Sequence, residues 1–164
     1  MSLKLKQYLG QRGEWWVIVQ GLLLLGLIIL PPVPIISFDS AAQFNIYLYD
    51  GAAIILGFTA LWFMVKGVLD LGRNLTPLPY PKPGGTLITT GIYRIVRHPL
   101  YSGLIFAALG WGLFQKSLSH LLGTVILFIF LDLKARQEEN WLRQTYPNYA
   151  EYSAQVKKII PWIY

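Results

Sequence analysis

The chain has 164 residues, of which 54% are hydrophobic and 13% charged, and its mean hydropathy is +0.46. This composition excludes an ordinary soluble domain and predicts a single integral-membrane domain. The formal net charge is +6, but the basic residues flank apolar segments, so we expect anionic lipid headgroups and no nucleic acid as the partner. The chain has no cysteine, which excludes disulfides and thiolate chemistry.

Four apolar segments predict an all-α integral-membrane fold with about four transmembrane helices. The segments are 15–30, 51–65 with an extension to 71, 101–114 and 118–133. Each is shorter than the roughly 20 residues that cross a hydrocarbon core, so flanking residues must extend the helices or the bilayer must thin. Residues 1–164 form one predicted domain, with an N-terminal transmembrane hairpin in 1–72 and a second hairpin in 73–164.

Basic residues accumulate on one side of these segments. That side holds Lys4, Lys6, Arg12, Lys66, Arg73, Lys82, Arg94, Arg97, Lys134, Arg136, Arg143, Lys157 and Lys158. Lys116 falls on the opposite side, with Asp39 and Asp50. The positive-inside rule then predicts that both termini and the long central loop are cytoplasmic. A cleaved secretory signal is the alternative for the first segment, but its terminal prolines and the lack of a small-residue cleavage site favour a retained helix.

A proline-rich loop precedes the third segment. Its four prolines between residues 77 and 83 exclude a continuous helix and predict an extended or turning connector. Pro99 suits the first turn of the next helix, which places His98 beside exposed backbone N–H groups. Such N–H groups favour an anion.

Two polar clusters flank the second hairpin. The sequence 97–101 (RHPLY) stands before the third segment, and Glu138 and Glu139 stand after the fourth. Because two successive spans return the chain to the membrane face that it left, the clusters should meet in a charged pocket at the cytoplasmic surface. Adjacent helical positions diverge by about 100°, so we expect one glutamate to face a ligand and the other to pair with a basic residue. The sequence leaves open which glutamate has which role.

Three pieces of the C-terminal half carry a resemblance to a known family. They are residues 91–103 (GIYRIVRHPLYSG), the pair 138–139, and the tail 146–152 (YPNYAEY) that ends at 160–161 (IP). In this order they resemble the membrane methyltransferases that include isoprenylcysteine carboxyl methyltransferase and phosphatidylethanolamine N-methyltransferase. The resemblance implies an S-adenosylmethionine site and a lipophilic or prenylated methyl acceptor that enters from the bilayer. The acceptor group stays open among carboxylate, amine and phenol.

The residues predicted to bind this cofactor are Tyr93, Arg97, His98, Tyr101, Gly103, Glu138 and Glu139. The arginine and histidine can donate to the cofactor's carboxylate, the tyrosines offer ring faces or hydroxyls, and the glutamates accept from ribose hydroxyls or the ammonium. Since no Gly-x-Gly-x-x-Gly turn follows a strand, a Rossmann-type site is excluded. Direct displacement at a sulfonium needs alignment more than a covalent catalyst, so no catalytic residue is assigned.

Further expectations concern the histidines and the C-terminal region. No metal site is predicted, because His98 lacks companion ligands, and His120 is expected in an outer loop. An amphipathic helix is predicted near the C-terminus. The aromatic residues of this region are expected to form an interfacial packing surface. They are Trp141, Tyr146, Tyr149, Tyr152, Trp162 and Tyr164.

Two other functions compete with methyl transfer. Residues 160–164 (IPWIY) are similar to the ends of sterol reductases, which would imply an NADPH-dependent membrane reductase. A non-catalytic scaffold or lipid-binding protein would explain the apolar segments and basic flanks, with Arg94 and Arg97 serving only to anchor a helix end at lipid headgroups.

Overall fold

The computed structural model describes residues 12–35 and 42–164. Within these ranges the architecture is helical, with isolated β-bridges and no longer strand. The helices are α1 (Glu14–Ile29), α2 (Ala42–Leu71), α3 (Pro99–Phe114), α4 (Leu118–Thr145) and α5 (Tyr149–Gln155), with 3₁₀ turns at Gly72–Asn74 and Gly91–Arg94. Lys4, Lys6 and Asp39, which supported the topology prediction, lie outside the described residues.

Helices α3 and α4 form the expected hairpin, joined by the three residues 115–117. Helix α3 packs on α2, and α4 packs on α1. The approach of α3 to α2 is close at Gly103, where a Cβ atom would lie 2.5 Å from Met64 Cγ and 3.1 Å from the Ala60 carbonyl oxygen. Small residues at such contacts allow apolar helices to pack backbone against backbone.

Two helices extend well beyond the apolar segments that predicted them. Helix α2 begins at Ala42, nine residues before the expected start, and α4 continues to Thr145, twelve residues beyond Leu133. Backbone hydrogen bonding continues through polar positions that a hydropathy criterion does not count. The extension of α4 matters for the site, because it carries Lys134, Glu138 and Glu139 on one continuous helix.

The exterior of the helices is strongly apolar. Large exposed side chains include Leu22, Leu25, Ile28, Phe58, Leu61, Ile126 and Ile129. In the part of the chain that the structure describes, two segments, Tyr47–Asn74 and Leu118–Thr145, are long and apolar enough to cross a membrane. The other two apolar helices, α1 and α3, have 16 residues each. An apolar surface of this extent is typical of contact with lipid.

The two ends of the helical bundle differ in their polar residues. At the end that we call the Lys116 end, residues 115–117 join α3 to α4 and lie beside residues 33–35: Ile35 N donates to Lys116 O at 2.9 Å, and Leu118 N to Val33 O at 2.8 Å. Lys116 Nζ also lies 2.6 Å from Asp50 Oδ1. At the opposite end, the His98 end, α3 begins and α2 and α4 finish.

Asp70, in the last turn of α2, holds the polypeptide at the His98 end. Its Oδ2 accepts a hydrogen bond from Ile92 N at 2.7 Å, while Lys66 Nζ lies 2.8 Å from Oδ1. Gly91 has a φ of +62°, and a Cβ atom there would lie 2.1 Å from Asp70 Oδ2. Glycine is therefore required for the turn that leads into Arg97 and His98.

The C-terminal residues fold back onto this same end. Arg97 N donates to Lys157 O at 2.8 Å and His98 N to Lys158 O at 3.0 Å. Asp132 fastens the returning segment, since its Oδ1 lies 2.8 Å from both Lys158 Nζ and the Tyr164 hydroxyl. The backbone just before α3 is thus fixed from two directions, by α2 and by the C-terminal residues.

Candidate functional site

Glu139 is the centre of a buried ion-pair network. Its Oε1 lies 2.8 Å from Arg97 Nε and 3.2 Å from His98 Nε2, and its Oε2 lies 3.4 Å from Arg143 Nη2. The side chain of Glu139 is only 4% exposed. Both of its oxygens are therefore engaged by the protein itself, and the carboxylate neutralises cations that would otherwise be costly to bury.

Glu138 has a different environment from its neighbour. Its Oε2 accepts from the Tyr101 hydroxyl at 2.8 Å and lies 3.6 Å from His98 Nδ1. The side chain is 25% exposed and lines a cavity, whereas Glu139 is absent from the cavity wall. The rotation of about 100° between adjacent helical positions separates the two carboxylates in this way.

Arg97 uses its guanidinium to hold the C-terminal residues. Besides the bond from Nε to Glu139, Nη1 donates to Ser153 O at 2.9 Å and to Val156 O. Sequence reasoning assigned these donors to a ligand carboxylate, but in the structure they bind the protein. Arg97 still contributes to the cavity wall.

His98 and Tyr101 lie together at the start of α3. Their rings stack in parallel, with centroids 5.2 Å apart and an interplanar angle of 2°. His98 is the N-cap residue and Pro99 the first helical residue, as the sequence predicts. The polar atoms of both rings meet the glutamates of α4, since the Tyr101 hydroxyl bonds to Glu138 and the two ring nitrogens of His98 lie near Glu138 and Glu139.

Tyr93 and Gly103 have structural partners of their own. The Tyr93 hydroxyl donates to Gly67 O at 3.2 Å, and the backbone carbonyl of Tyr93 accepts from the Tyr152 hydroxyl at 2.6 Å. Burial raises the pKa of the Tyr93 phenol. Tyr93 lines the cavity, whereas Gly103 lies at the contact between α2 and α3, away from the cavity wall.

The cavity at the His98 end has a volume of about 540 Å³. That size falls in the range of roughly 300–1,000 Å³ that pockets for small molecules and cofactors occupy. One part of its wall is polar and aromatic, formed by Arg97, His98, Glu138, Tyr146, Tyr149 and Tyr152. Another part is apolar, formed by Val17, Leu71, Leu100 and Leu104. The prolines at positions 77, 79 and 81 also line it, so the loop predicted as a connector is part of the wall.

Lys134 and Gln20 are among the polar residues of the cavity that were not predicted as site residues. Lys134 Nζ donates to Gln20 Oε1 at 2.5 Å and lies 5.3 Å from the centroid of the Tyr101 ring. Sequence signals for both existed: Gln20 is the strongly polar residue of the first apolar segment, and Lys134 precedes Glu138 by one helical turn, which places them on the same face. Their pairing across 114 positions had no sequence signal.

Three of the C-terminal aromatic residues expected in an interfacial packing surface are part of the cavity wall. They are Tyr146, Tyr149 and Tyr152. The Tyr149 hydroxyl is buried and has no hydrogen-bond partner in the structure, and burial raises its pKa. A buried polar group without a partner is costly, so a ligand that pairs with this hydroxyl would gain affinity.

His120 was also misplaced by sequence reasoning. It is buried in the first turn of α4, where its Nδ1 lies 2.8 Å from Ser117 Oγ. The same serine oxygen accepts from His120 N at 3.5 Å and caps the helix. The expected loop position was wrong, because the helix begins at Leu118, where the fourth apolar segment also begins, and so includes His120.

Comparison with known proteins identifies several relatives. The family model for phospholipid methyltransferase matches residues 49–149. A probable protein-S-isoprenylcysteine O-methyltransferase of Oryza sativa subsp. indica is 38% identical over 79 residues, which are 47% of this chain and 41% of that protein. Protein-S-isoprenylcysteine O-methyltransferase B of Arabidopsis thaliana is 30% identical over 79 residues, 47% of this chain and 40% of that protein.

A delta(14)-sterol reductase of Mus musculus is 36% identical over 86 residues, 49% of this chain and 20% of that protein. The chain spans about two fifths of the length of the plant relatives. The family match covers more than half of the chain and contains α3, α4 and every residue of the ion-pair network around Glu139. The chain therefore belongs to the phospholipid methyltransferase family.

Proposed function

We propose that this protein is an integral-membrane S-adenosylmethionine-dependent methyltransferase that acts on a lipophilic or prenylated small molecule. The observation that carries the proposal is the cavity at the His98 end, which joins a charged, aromatic wall to an apolar wall inside an apolar helical bundle. A cofactor with charged and aromatic parts and an acceptor with a hydrocarbon tail need these two kinds of surface. Membership of the family supports the reaction type.

The cavity residues fit the chemistry of this cofactor. Glu138 faces the cavity and can accept from the cofactor's ammonium or ribose hydroxyls. The unpaired Tyr149 hydroxyl is available for a polar ligand group, and the rings of Tyr146 and Tyr152 suit an aromatic base. When bound, S-adenosylmethionine supplies a methyl group on a sulfonium that a nucleophile can displace directly.

The seven residues predicted from the sequence divide into two roles in this proposal. Glu138, His98 and Tyr101 contact the cofactor, since they share the polar wall and are joined by short contacts. Arg97, Glu139, Tyr93 and Gly103 position that wall. Rate acceleration comes mainly from holding the two reactants in line and keeping water out, and rigid support of the wall serves both.

The acceptor's chemistry decides whether the protein must handle a proton. A carboxylate attacks without losing one, whereas an amine or a phenol must release a proton at some stage. For those acceptors, the cavity wall offers two groups able to accept the proton, the carboxylate of Glu138 and the imidazole of His98. Neither group is needed as a base if the acceptor is a carboxylate.

The proposal includes four membrane spans, with both termini and the cavity on the cytoplasmic side. A helix rises about 1.5 Å per residue, so the 16 residues of α1 and of α3 cover roughly 24 Å and need local thinning or flanking residues to cross. The basic residues Arg12, Arg94 and Lys157 lie towards the His98 end and Lys116 at the other, which supports this orientation. The chain would act as one domain, 1–164, built from hairpins in 1–72 and 73–164.

The absence of cysteine from the sequence makes the orientation easy to test. Two single variants are treated with a membrane-impermeant maleimide, before and after cell lysis. Lys116→Cys should react in intact cells, whereas Lys157→Cys should react only after lysis. Labelling of both from the same side would contradict the four-span arrangement.

Binding of radiolabelled S-adenosylmethionine tests the proposed function. Glu138→Gln should weaken binding by about tenfold, the loss expected when a charged hydrogen-bond acceptor becomes neutral. Glu151→Gln is the matched control, because Glu151 is exposed on α5 and outside the cavity wall. Equal binding in both variants, in folded protein, would contradict the assignment of Glu138. Absence of cofactor binding in the unaltered protein would contradict the function.

An NADPH-dependent reductase is the second candidate, favoured by the similarity to the mouse delta(14)-sterol reductase. Purified protein offered both cofactors separates the two functions directly. Selective binding of NADPH would reverse the order of the proposals, and a protein that binds neither but retains a lipid would act as a non-catalytic membrane protein.

A further inference from the structure

Lys134 is a buried cation that has no carboxylate oxygen within ion-pair distance in the described part of the chain, although Glu138 stands one helical turn away on the same face of α4. It is 4% exposed, and its hydrogen bond goes to the neutral side-chain oxygen of Gln20. Among the described residues, the salt bridges do not include Lys134. An ammonium has three N–H donors, and burying one without an ion-pair partner is costly. By contrast, Arg97 and Lys158 each have a carboxylate within 2.8 Å.

The position of Lys134 places its charge on the apolar side of the cavity. It lies four residues before Glu138 on α4, about 6 Å further into the bundle at 1.5 Å per residue. Its partner Gln20 comes from α1, where Val17, about one turn away on the same face, also lines the cavity. Leu104, about one turn from Tyr101 on α3, lines it as well. The Tyr101 ring, 5.3 Å away, provides a π face that suits a cation but supplies no counter-charge.

From these observations we infer that Lys134 and Gln20 form a binding site for an anionic oxygen group, carboxylate or phosphodiester, on the lipophilic occupant of the cavity. Lys134 donates to the anion, and Gln20 Oε1 holds the ammonium in place. The identity of that occupant as the methyl acceptor rests on the proposed function. The inference also gives α1, which lies outside the family match to residues 49–149, a part in selecting the acceptor.

The cofactor's own carboxylate is the competing partner for Lys134. The polar wall, however, already offers His98 and the unpaired Tyr149 hydroxyl for the cofactor's polar groups, and Glu138 of that wall lies one helical turn closer to the His98 end than Lys134 does. A separate cation among apolar residues is better placed for a molecule whose remainder is hydrocarbon. The two assignments differ in which ligand loses affinity when the charge is removed.

The test uses the full-length protein in a neutral maltoside detergent and four probes with the same alkyl chain: decanoate, decyl phosphate, decylamine and decanol. Calorimetric titration measures their affinities for the unaltered protein, Lys134→Met, Lys134→Arg and the control Lys116→Met. The control removes the same charge at the opposite end of the bundle, outside the cavity wall. Radiolabelled S-adenosylmethionine binding is measured on the same preparations.

We expect Lys134→Met to lose at least about tenfold in affinity for at least one anionic probe, with less than about twofold change for decanol, because one charged hydrogen bond is removed. Lys134→Arg should retain most of the affinity, and Lys116→Met all of it. A selective loss for decanoate identifies a carboxylate, and one for decyl phosphate identifies a phosphate-type headgroup.

Equal losses for all four probes would overturn the inference, as would a loss confined to S-adenosylmethionine, which would assign Lys134 to the cofactor. If Lys134→Met does not fold, the affinities of the unaltered protein still test the inference. An anion site is incompatible with tighter binding of decylamine than of decanoate and decyl phosphate. Lys134-dependent anion binding without any S-adenosylmethionine binding would contradict the proposed function and leave the anion site standing.

Discussion

The two histidines of this protein occupy similar positions at opposite ends of the bundle. His98 caps α3 and is 6% exposed, and His120 lies in the first turn of α4 and is 1% exposed. His120 meets a neutral serine hydroxyl from the adjoining turn, whereas His98 lies between two carboxylates from another helix, beside a cavity. Burial at the start of a helix therefore does not distinguish a histidine with only structural partners from one that lines a cavity. The difference lies in the charged groups and the open volume beside the ring.

The largest expected effect concerns the buried network of the His98 end. Glu139→Gln leaves Arg97 without its counter-charge, and removal of one partner from a buried ion pair costs about 3–5 kcal/mol. Thermal unfolding in detergent should show a large loss of stability. Glu138→Gln should lower the stability much less than Glu139→Gln does. In the protein that remains folded, however, Glu138→Gln should weaken cofactor binding more than Glu139→Gln. Equal destabilisation by both variants would remove the distinction between the two glutamates.

The histidines themselves provide the next test. His98→Ala should weaken S-adenosylmethionine binding by about tenfold or more through loss of a polar wall residue. His120→Ala should leave binding within about twofold of the unaltered protein and lower the free energy of unfolding by about 1–3 kcal/mol, because Ser117 loses a buried partner. Radiolabelled cofactor binding and thermal unfolding, measured on both variants, reveal whether the two ends differ in function.

The hydroxyl of Tyr149 allows binding and stability to be tested separately at a single polar group of the His98 end. Tyr149→Phe removes a buried group that has no partner, so the free energy of unfolding should stay unchanged or rise by up to about 1 kcal/mol. Cofactor affinity should nevertheless fall several-fold if the hydroxyl binds the ligand. The matched change Tyr152→Phe should lower stability instead, because it breaks the bond to Tyr93 O. A stable Tyr149→Phe protein with unaltered affinity would exclude this hydroxyl from binding.

The smallest effect is expected at the Lys116 end. Lys116→Met breaks a partly exposed ion pair with Asp50, and such pairs contribute at most about 1 kcal/mol. Thermal unfolding in low and high salt should show a small difference that salt reduces further. A large loss of stability in Lys116→Met would mean that ion pairs stabilise the two ends of the bundle to a similar degree. It would contradict the expectation that the stronger network lies at the His98 end.

Much of the hairpin that carries the site follows from local sequence features. The three residues between the third and fourth apolar segments allow only an antiparallel pair of helices, and Pro99 marks the start of α3. The approach of the cluster at 97–101 to the pair 138–139 follows from those two features, whereas the choice of Glu139 as the partner of Arg97 does not. An amphipathic helix was expected after the fourth segment, but its continuity with that segment as one helix to Thr145 was not, because hydropathy marks apolar residues while helical hydrogen bonds continue through charged ones.

Contacts between distant residues account for what the sequence did not predict in the site. The partner of Lys134 is on α1, and the partners of Arg97 include carbonyls of residues 153 and 156. Three tyrosines of the cavity, at positions 146, 149 and 152, come from the C-terminal residues. None of these pairings has a periodicity or a fixed spacing. Proline spacing showed that the central loop is not helical, but not that it closes a cavity.

The sequence by itself determined the helical, apolar character of the chain, the hairpin and the joining of a basic with an acidic cluster, since these depend on composition, order and loop length. Only the tertiary structure decided that Glu139 is buried among cations while Glu138 faces the cavity, and that Lys134 meets Gln20 in the cavity wall. Those outcomes depend on how each helix is rotated against its neighbours. That rotation is set by packing, such as the close contact at Gly103, over distances that a linear pattern does not contain.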